Sequence, residues 1–333
     1  MASSADKKTN YSRRFFWFAV AIVLVVVGYT FGWNYLGDRL VEQVNANVAT
    51  INRDGRRASC ENAEAKGYPF RIGVFCRSVM FVDARAGVSF RARQFRSAAQ
   101  VYSPQHVVGE LDGPASLEIP GLNALDLNWT SMRASVRLTT DLPERVSLEA
   151  QDLAVRRDEA NGAASPLLAG AKVFEFHMRP AGADLDLASR FTDLQLGEQL
   201  EGATIPIPPL DGVVDVSIAD GVRLAASSLA SLRGTSGTIR TISLNLDEQT
   251  GATVTGPVSI DEDGLIDADL EVTLRNPQAI GRVLADLIPD ARREIGMGFS
   301  AMSAMGTAPT LPLRISKGEI SLGFLSLGSI PPL

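Results

Sequence analysis

The sequence predicts a mainly β protein. A long antiparallel amphipathic sheet, curled into a groove or packed as a sandwich, stands behind an N-terminal transmembrane helix and carries one C-terminal helical segment. Three observations lead there. Phe15–Trp33 is a run of 19 residues without a charge. From Cys60 onward apolar and polar residues alternate with a period of two. After Asn276 that period gives way to helical spacing. The 333 residues, 45% apolar, suffice to bury a core and are too apolar for a disordered chain. Two cysteines exclude a disulfide-stapled miniature scaffold and a four-cysteine zinc site, and a net charge of -6 argues against a general nucleic-acid binder.

In order along the chain, residues 1–14 read as a cytoplasmic tail, 15–35 as the transmembrane helix and 36–58 as a helical stalk. Residues 59–333 form the β-rich body, with its helical segment at 277–305. At about 1.5 Å per residue the apolar run crosses the roughly 30 Å hydrocarbon core of a bilayer. Lys7, Lys8, Arg13 and Arg14 precede it against Asp6 alone, which keeps the N-terminus cytoplasmic. Aromatic residues border it at Phe15–Phe18 and again at Tyr29, Phe31, Trp33 and Tyr35. A cleaved signal peptide would have a shorter apolar region ending in small residues, where this chain has Tyr29, Phe31 and Trp33. The segment is therefore an uncleaved anchor. In the stalk Leu36, Leu40, Val41, Val44, Val48 and Ile51 recur at helical spacing until Asp54-Gly55.

Charge divides the chain. Residues 34–110 carry eleven basic and seven acidic side chains, and residues 111–333 carry seventeen and thirty. Arg71, Arg77, Arg91, Arg93 and Arg96 thus suit anionic headgroups, or more plainly a solvated strand face.

The body reads as strand after strand. Ile266, Ala268, Leu270, Val272 and Leu274 form one face of a segment whose other face is Asp267, Asp269, Glu271 and Thr273. Ile242, Leu244 and Leu246 alternate with polar residues in the same way, as do segments around Phe70–Val82, Leu125–Trp129, Val146–Val155 and Val214–Ile218. Asp112-Gly113, Asp211-Gly212, Asp220-Gly221, Asp263-Gly264 and Lys317-Gly318 read as hairpin turns. Asn276 caps a helix with Pro277 in its first turn, Pro289 interrupts it, and Met297, Met302 and Met305 follow. Those methionines either accommodate acyl chains or fill a gap between helix and sheet.

Candidate chemistry is sparse. Cys60 and Cys76 lie sixteen apart, without the C-x-x-C spacing of a redox pair; outside the cytoplasm they form a disulfide worth on the order of 3 kcal/mol. His177 falls on the polar face of a strand and His106 follows Pro104 in a loop; neither has ligands at metal spacing. Asp261, Asp263, Asp267 and Asp269 lack the glycine placement of a calcium loop. No nucleophile elbow, phosphate-binding loop or dinucleotide fingerprint occurs, so no enzyme, metal or cofactor is expected.

The anchor, the cysteine pair around Gly67-Tyr68-Pro69-Phe70-Arg71, Leu127-Asn128-Trp129, Phe176-His177-Met178-Arg179-Pro180, Asp263-Gly264-Leu265 and the ending Leu311-Pro312-Leu313 through Pro331-Pro332-Leu333 together resemble an uncharacterised family. It comprises alphaproteobacterial membrane-anchored periplasmic proteins of unknown function. The resemblance implies a single-pass inner-membrane protein with a periplasmic body, and supports the disulfide. It implies no activity.

The expected function is a module that binds lipid or another envelope component. Leu244, Ile266, Leu270, Val272, Met297 and Met302 are the candidate groove residues. The alternative is an envelope scaffold or assembly factor that binds proteins through a sheet closed over its own core. An envelope hydrolase is a third reading. The partners expected are the inner membrane through residues 15–35, lipid or envelope proteins, and not nucleic acid.

Overall fold

The computed structural model describes residues 11–53, 55–140, 142–158, 166–197, 199–200, 203–204, 208–226, 232–322 and 325–333. Asp6, Lys7 and Lys8 of the tail, and Asp54 of the turn expected after the stalk, lie outside the described residues. Helix α1 (Tyr11–Ile51) runs without a break from the apolar segment into the stalk, but it ends at Ile51, and residues 56–58, expected in the helical stalk, already belong to the first strand of the sheet. It is long and apolar enough to cross a membrane.

The rest is dominated by one antiparallel sheet of 20 strands. Its first ten strands join end to end into long rungs, each interrupted near the middle. These are β1 (Arg56–Cys60) with β2 (Glu64–Lys66), β3 (Arg71–Cys76) with β4 (Val79–Asp83), and β5 (Val88–Ala92) with β6 (Phe95–Gln100). β7 (Ser103–Leu111) with β8 (Ala115–Glu118), and β9 (Leu125–Asn128) with β10 (Ser131–Arg137), complete them. Each rung pairs with the next along both halves, so that β9 and β10 lie beside the two halves of β11 (Arg145–Arg157).

The meander continues through β12 (Leu167–Ala181) and β13 (Asp184–Leu196). A separate small hairpin, β14 (Gln199–Leu200) and β15 (Ala203–Thr204), precedes β16 (Leu210–Ile218). β17 (Thr235–Asn245), β18 (Gly251–Ile260), β19 (Ile266–Arg275), β20 (Thr310–Ser316), β21 (Glu319–Leu322) and β22 (Leu325–Ser329) follow, each beside its predecessor. Spatial order thus follows chain order. Among the described residues the first rung and β22 are opposite edges that do not pair, and the sheet is not closed into a barrel.

The interruptions align into a crease crossing the sheet at Asn62, Arg77-Ser78, Arg93-Gln94, Asp112–Pro114 and Trp129-Thr130, ending at Asp152. Asn62 and Asp152 hold left-handed backbone, each at φ 51, and Pro114 has no N–H for the ladder. Cys60 and Cys76, at the ends of β1 and β3, are bonded there with Cα atoms 5.2 Å apart. The disulfide therefore pins the first rung to the second where both ladders are interrupted.

Asp263-Gly264 and Lys317-Gly318 are turns between neighbouring strands, the latter with φ of 47 and 82. The other three expected turns are corrected. Asp112-Gly113 belongs to the crease, Asp211-Gly212 lies inside β16, and Gly221 begins the short helix α2 (Gly221–Ala226). His106 lies in β7, not a loop, because Pro104 sits near the start of that strand, where a missing donor is tolerated. The C-terminal helical segment divides at Pro289 as expected. α3 (Pro277–Leu287) is capped by Asn276, whose carboxamide oxygen accepts from the Ala279 N–H at 3.4 Å. A short 3-10 turn (Pro289–Ala291) leads to α4 (Arg292–Ala304), and Gly281 of α3 lies against Phe299 of α4.

The chain is long enough to bury a core, yet no large side chain among the described residues is fully buried. Its accessible surface of 21813 Å² compares with about 13,000 Å² for a compact monomer of this mass. Part of that excess is the exposed helix α1; in the sheet most apolar side chains are only half-buried, so its apolar face is not fully covered.

Candidate functional site

Cross-strand register shows which side chains share that uncovered face. Pro180, Leu185, Ile218, Gly237, Val258, Ala268, Ile315 and Ile320 form one row. The next contains Met178, Leu187, Val216, Ile239 and Gly256, with Leu270, Leu313 and Leu322 beyond. A third runs Leu148, Phe176, Ser189, Val214, Ile242, Val254, Val272 and Leu311. The fourth is Ala150, Phe174, Phe191, Gly212, Leu244, Ala252 and Leu274. In this last row glycine is required: a Cβ on Gly212 would stand 2.2 Å from the ring of Phe191.

Leu244, Ile266, Leu270 and Val272 therefore share one face, as the alternation implies. Leu270 is buried, Ile266 and Val272 are half-buried, and Leu244 is 45% exposed. Met297 and Met302 lie elsewhere, on α4, which packs on α3; Met297 is exposed and Met302 half-buried. The face is mostly aliphatic, with Phe174, Phe176 and Phe191 on β12 and β13, and is continuous over strands from β11 to β21. A contiguous apolar surface of this kind marks an interaction surface and not a cluster of reactive groups.

The opposite face is polar and carries a charge cluster, centred on Asp186, that no sequence period marks. Asp186, with a side chain only 9% exposed, accepts from Arg240 Nη1 at 2.8 Å, from Ser217 Oγ at 2.9 Å and from Arg179 Nη2 at 3.1 Å. The Arg240 guanidinium, helped by Ser217 and Arg179, holds the Asp186 carboxyl below the usual carboxylate range against the opposing effect of burial. Arg240 reaches it because β17 bulges between Ile239 and Ile242, adding a residue that turns this side chain toward Asp186 and Asp215. A hollow of about 360 Å³ adjoins, where His177 Nδ1 lies 3.0 Å from Ser147 Oγ.

The crease forms a larger hollow of about 840 Å³ on the polar side. There Arg96 pairs with Asp112 at 2.6 Å and Glu110 at 3.4 Å, and Arg133 with Glu110 at 3.2 Å. Trp129 Nε1 donates to the Leu111 carbonyl at 2.7 Å and closes one wall. These pairs are cross-strand neighbours satisfying one another, which accounts for Arg96 as part of a solvated strand face. Asp261, Asp267 and Asp269 serve the backbone or a salt bridge. Asp261 accepts from the Leu265 N–H at 2.8 Å, Asp267 from the Lys317 N–H at 3.0 Å, and Asp269 from Arg314 at 2.8 Å.

Comparison with curated proteins returns no match. The family described as an uncharacterized protein conserved in bacteria (DUF2125) matches residues 33–331, the whole sheet and both C-terminal helices included. Since the match covers nearly the entire chain beyond the apolar helix, the protein belongs to that family of unknown function.

Proposed function

We propose that this protein is an inner-membrane-anchored periplasmic module whose open apolar face holds the acyl chains of lipid. The observation that carries the reading is the four-row, mostly aliphatic face of an unclosed sheet in which no large side chain among the described residues is fully buried. A closed core would bury those rows. Leaving them half-exposed in water costs about 25 cal/mol for each Å² of apolar surface, a cost that bound hydrocarbon relieves. The basic root beside the membrane and the low aromatic content of the body support lipid over sugar polymers.

The test places a photoreactive residue in the full-length protein at Ile242 or Val254 on the apolar face, and at Thr241 or Thr253 on the other. Crosslinking in native membranes should give lipid adducts by mass spectrometry from the first pair and few from the second. Equal yields from both faces, or none from either, would overturn the reading.

The scaffold alternative rests on a separate observation: among the described residues the outer edge of β22 has no strand partner. It expects discrete protein adducts from that edge while the apolar face yields no lipid.

A further inference from the structure

The docking of α1 on the sheet fixes how deep the sheet sits. Thr30 Oγ1 lies 2.8 Å from the Tyr68 hydroxyl, and Trp33 Nε1 donates to the Arg71 carbonyl at 2.9 Å. Tyr29 donates to the carbonyl of Pro69. Tyr29 and Thr30 lie inside the charge-free run that ends at Trp33. At 1.5 Å per residue, Tyr29 is about 6 Å below Trp33 along the helix. The turn Tyr68-Pro69-Phe70 is thereby held at the level of the helix's own aromatic belt.

That turn does not end in polar residues. Phe70 is 72% exposed, and its carbonyl accepts from the Val101 N–H at 3.1 Å, which brings the neighbouring turn alongside. There Tyr102 is 78% exposed, and on the next rung Leu138 is 46% exposed. Behind these tips, on the polar face, stand the exposed Arg71, Arg137 and Arg145; register sets Arg137 beside Arg145, and Glu144 at 3.7 Å from Arg137 offsets only one of the three. Apolar tips backed by cations are the pattern of a surface that enters the headgroup region of an anionic bilayer.

We infer that the helix-proximal ends of the first rungs form a second membrane contact, with Phe70 and Tyr102 inserted into the interface of the bilayer that α1 spans. The inference rests on α1 spanning the bilayer, and not on the apolar face carrying lipid.

The test uses the full-length chain in vesicles of phosphatidylcholine with a minority of phosphatidylglycerol. Single cysteines from Phe70→Cys, Tyr102→Cys, Leu122→Cys and Val25→Cys carry an environment-sensitive fluorophore, the native pair being bonded. Leu122 is 62% exposed in the turn at the other end of the rungs, on the order of 40–50 Å away at 3.3 Å per residue.

Labels at 70 and 102 should show blue-shifted emission and stronger quenching by nitroxides near the headgroup than by those near the chain end. The label at 122 should resemble one in water. If 70 and 102 match 122 while 25 is quenched deep in the bilayer, the second contact is overturned alone. If 25 also reports water, the anchor reading falls with it. Far-UV circular dichroism and the mobility of the oxidised chain on gels confirm that each variant is folded. Loss of the blue shift at 70 in a folded Arg137→Glu, Arg145→Glu variant would further support the electrostatic part, and an unchanged shift would overturn that part.

Discussion

Trp33 Nε1 donates to the carbonyl of Arg71 at 2.9 Å, so the end of the apolar helix is bonded to the first hairpin of the sheet. The Tyr68 ring stands edge-on to the indole, with centroids 5.6 Å apart, and Gly37 is buried against Ala65. Trp33→Phe keeps the ring contact and removes the donor; it should cost about 0.5–1.5 kcal/mol in denaturant melts of the full chain in detergent. Gly37→Leu should act more strongly, since even a Cβ there would come within 3.0 Å of the Ala65 side chain. Its expected signature is faster proteolysis within residues 56–66, with the remaining strands still protected.

The Cys60–Cys76 bond acts where the first two ladders are interrupted, so its loss should be felt locally. Cys60→Ser with Cys76→Ser should lower stability by roughly 3 kcal/mol on the loop-entropy model. Hydrogen exchange is the decisive measurement. Protection should fall in β1–β4 and persist in β12, β13 and β16–β19.

Asp186 predicts a defined pH response. Arg240 lowers its carboxyl pKa in the folded chain, so the resulting stabilisation is complete above the ordinary carboxylate value of about 4. It is lost as the pH falls through the lower folded-state value. Asp186→Asn should cost about 1–2 kcal/mol at neutral pH, the lower part of the range for charged hydrogen bonds because Arg179 and Arg240 retain solvent access. Its stability should also fall less steeply in acid than that of the parent chain, as denaturant melts at a series of pH values would show.

Gly212→Val probes a tightly packed place on the apolar face. The new Cβ would collide with the Phe191 ring and displace it toward solvent. A loss of about 1–3 kcal/mol is expected from overpacking. Phe191→Ala in the same chain should recover part of it, giving a non-additive double-mutant cycle.

Val254→Lys separates an open face from a filled core. Val254 is half-buried in the third row, where a lysine can extend its stem along the face and keep its ammonium in water. The expected cost is about 1 kcal/mol, where the interior of a closed sandwich would lose several. Lipid crosslinking from Ile242 should drop sharply in the same variant.

Much of this could be read from the chain. Ile266–Leu274 alternates because one face of β19 is apolar and the other is wet, and such alternation survives any tertiary context that keeps one face in water. Asn276 and Pro277 marked a helix start through local hydrogen bonding and a fixed φ, both independent of distant contacts. The crease and the bulge at Arg240 were not legible. They arise where backbone leaves the regular ladder, at Asn62, Asp152 and between Ile239 and Ile242, and no side-chain period marks those positions. Asp211-Gly212 misled for a related reason. Its glycine answers to Phe191, a residue of the neighbouring strand, and not to a turn.

By itself the sequence determined an apolar helix of membrane length, a succession of half-apolar strands, a cysteine pair and one interrupted helical segment. Each follows from composition or from spacing within a few residues. Only the tertiary structure decided that the strands pair in chain order into one sheet, that its two edges stay apart, and that the aliphatic rows are left half-exposed. The reason is physical. Alternation states that a strand has an apolar face and leaves open what covers it, so a closed sandwich and an open sheet satisfy the same pattern. The choice lies in ladder register between distant segments, such as Phe174 with Phe191 and Val254 with Val272, which no local period encodes.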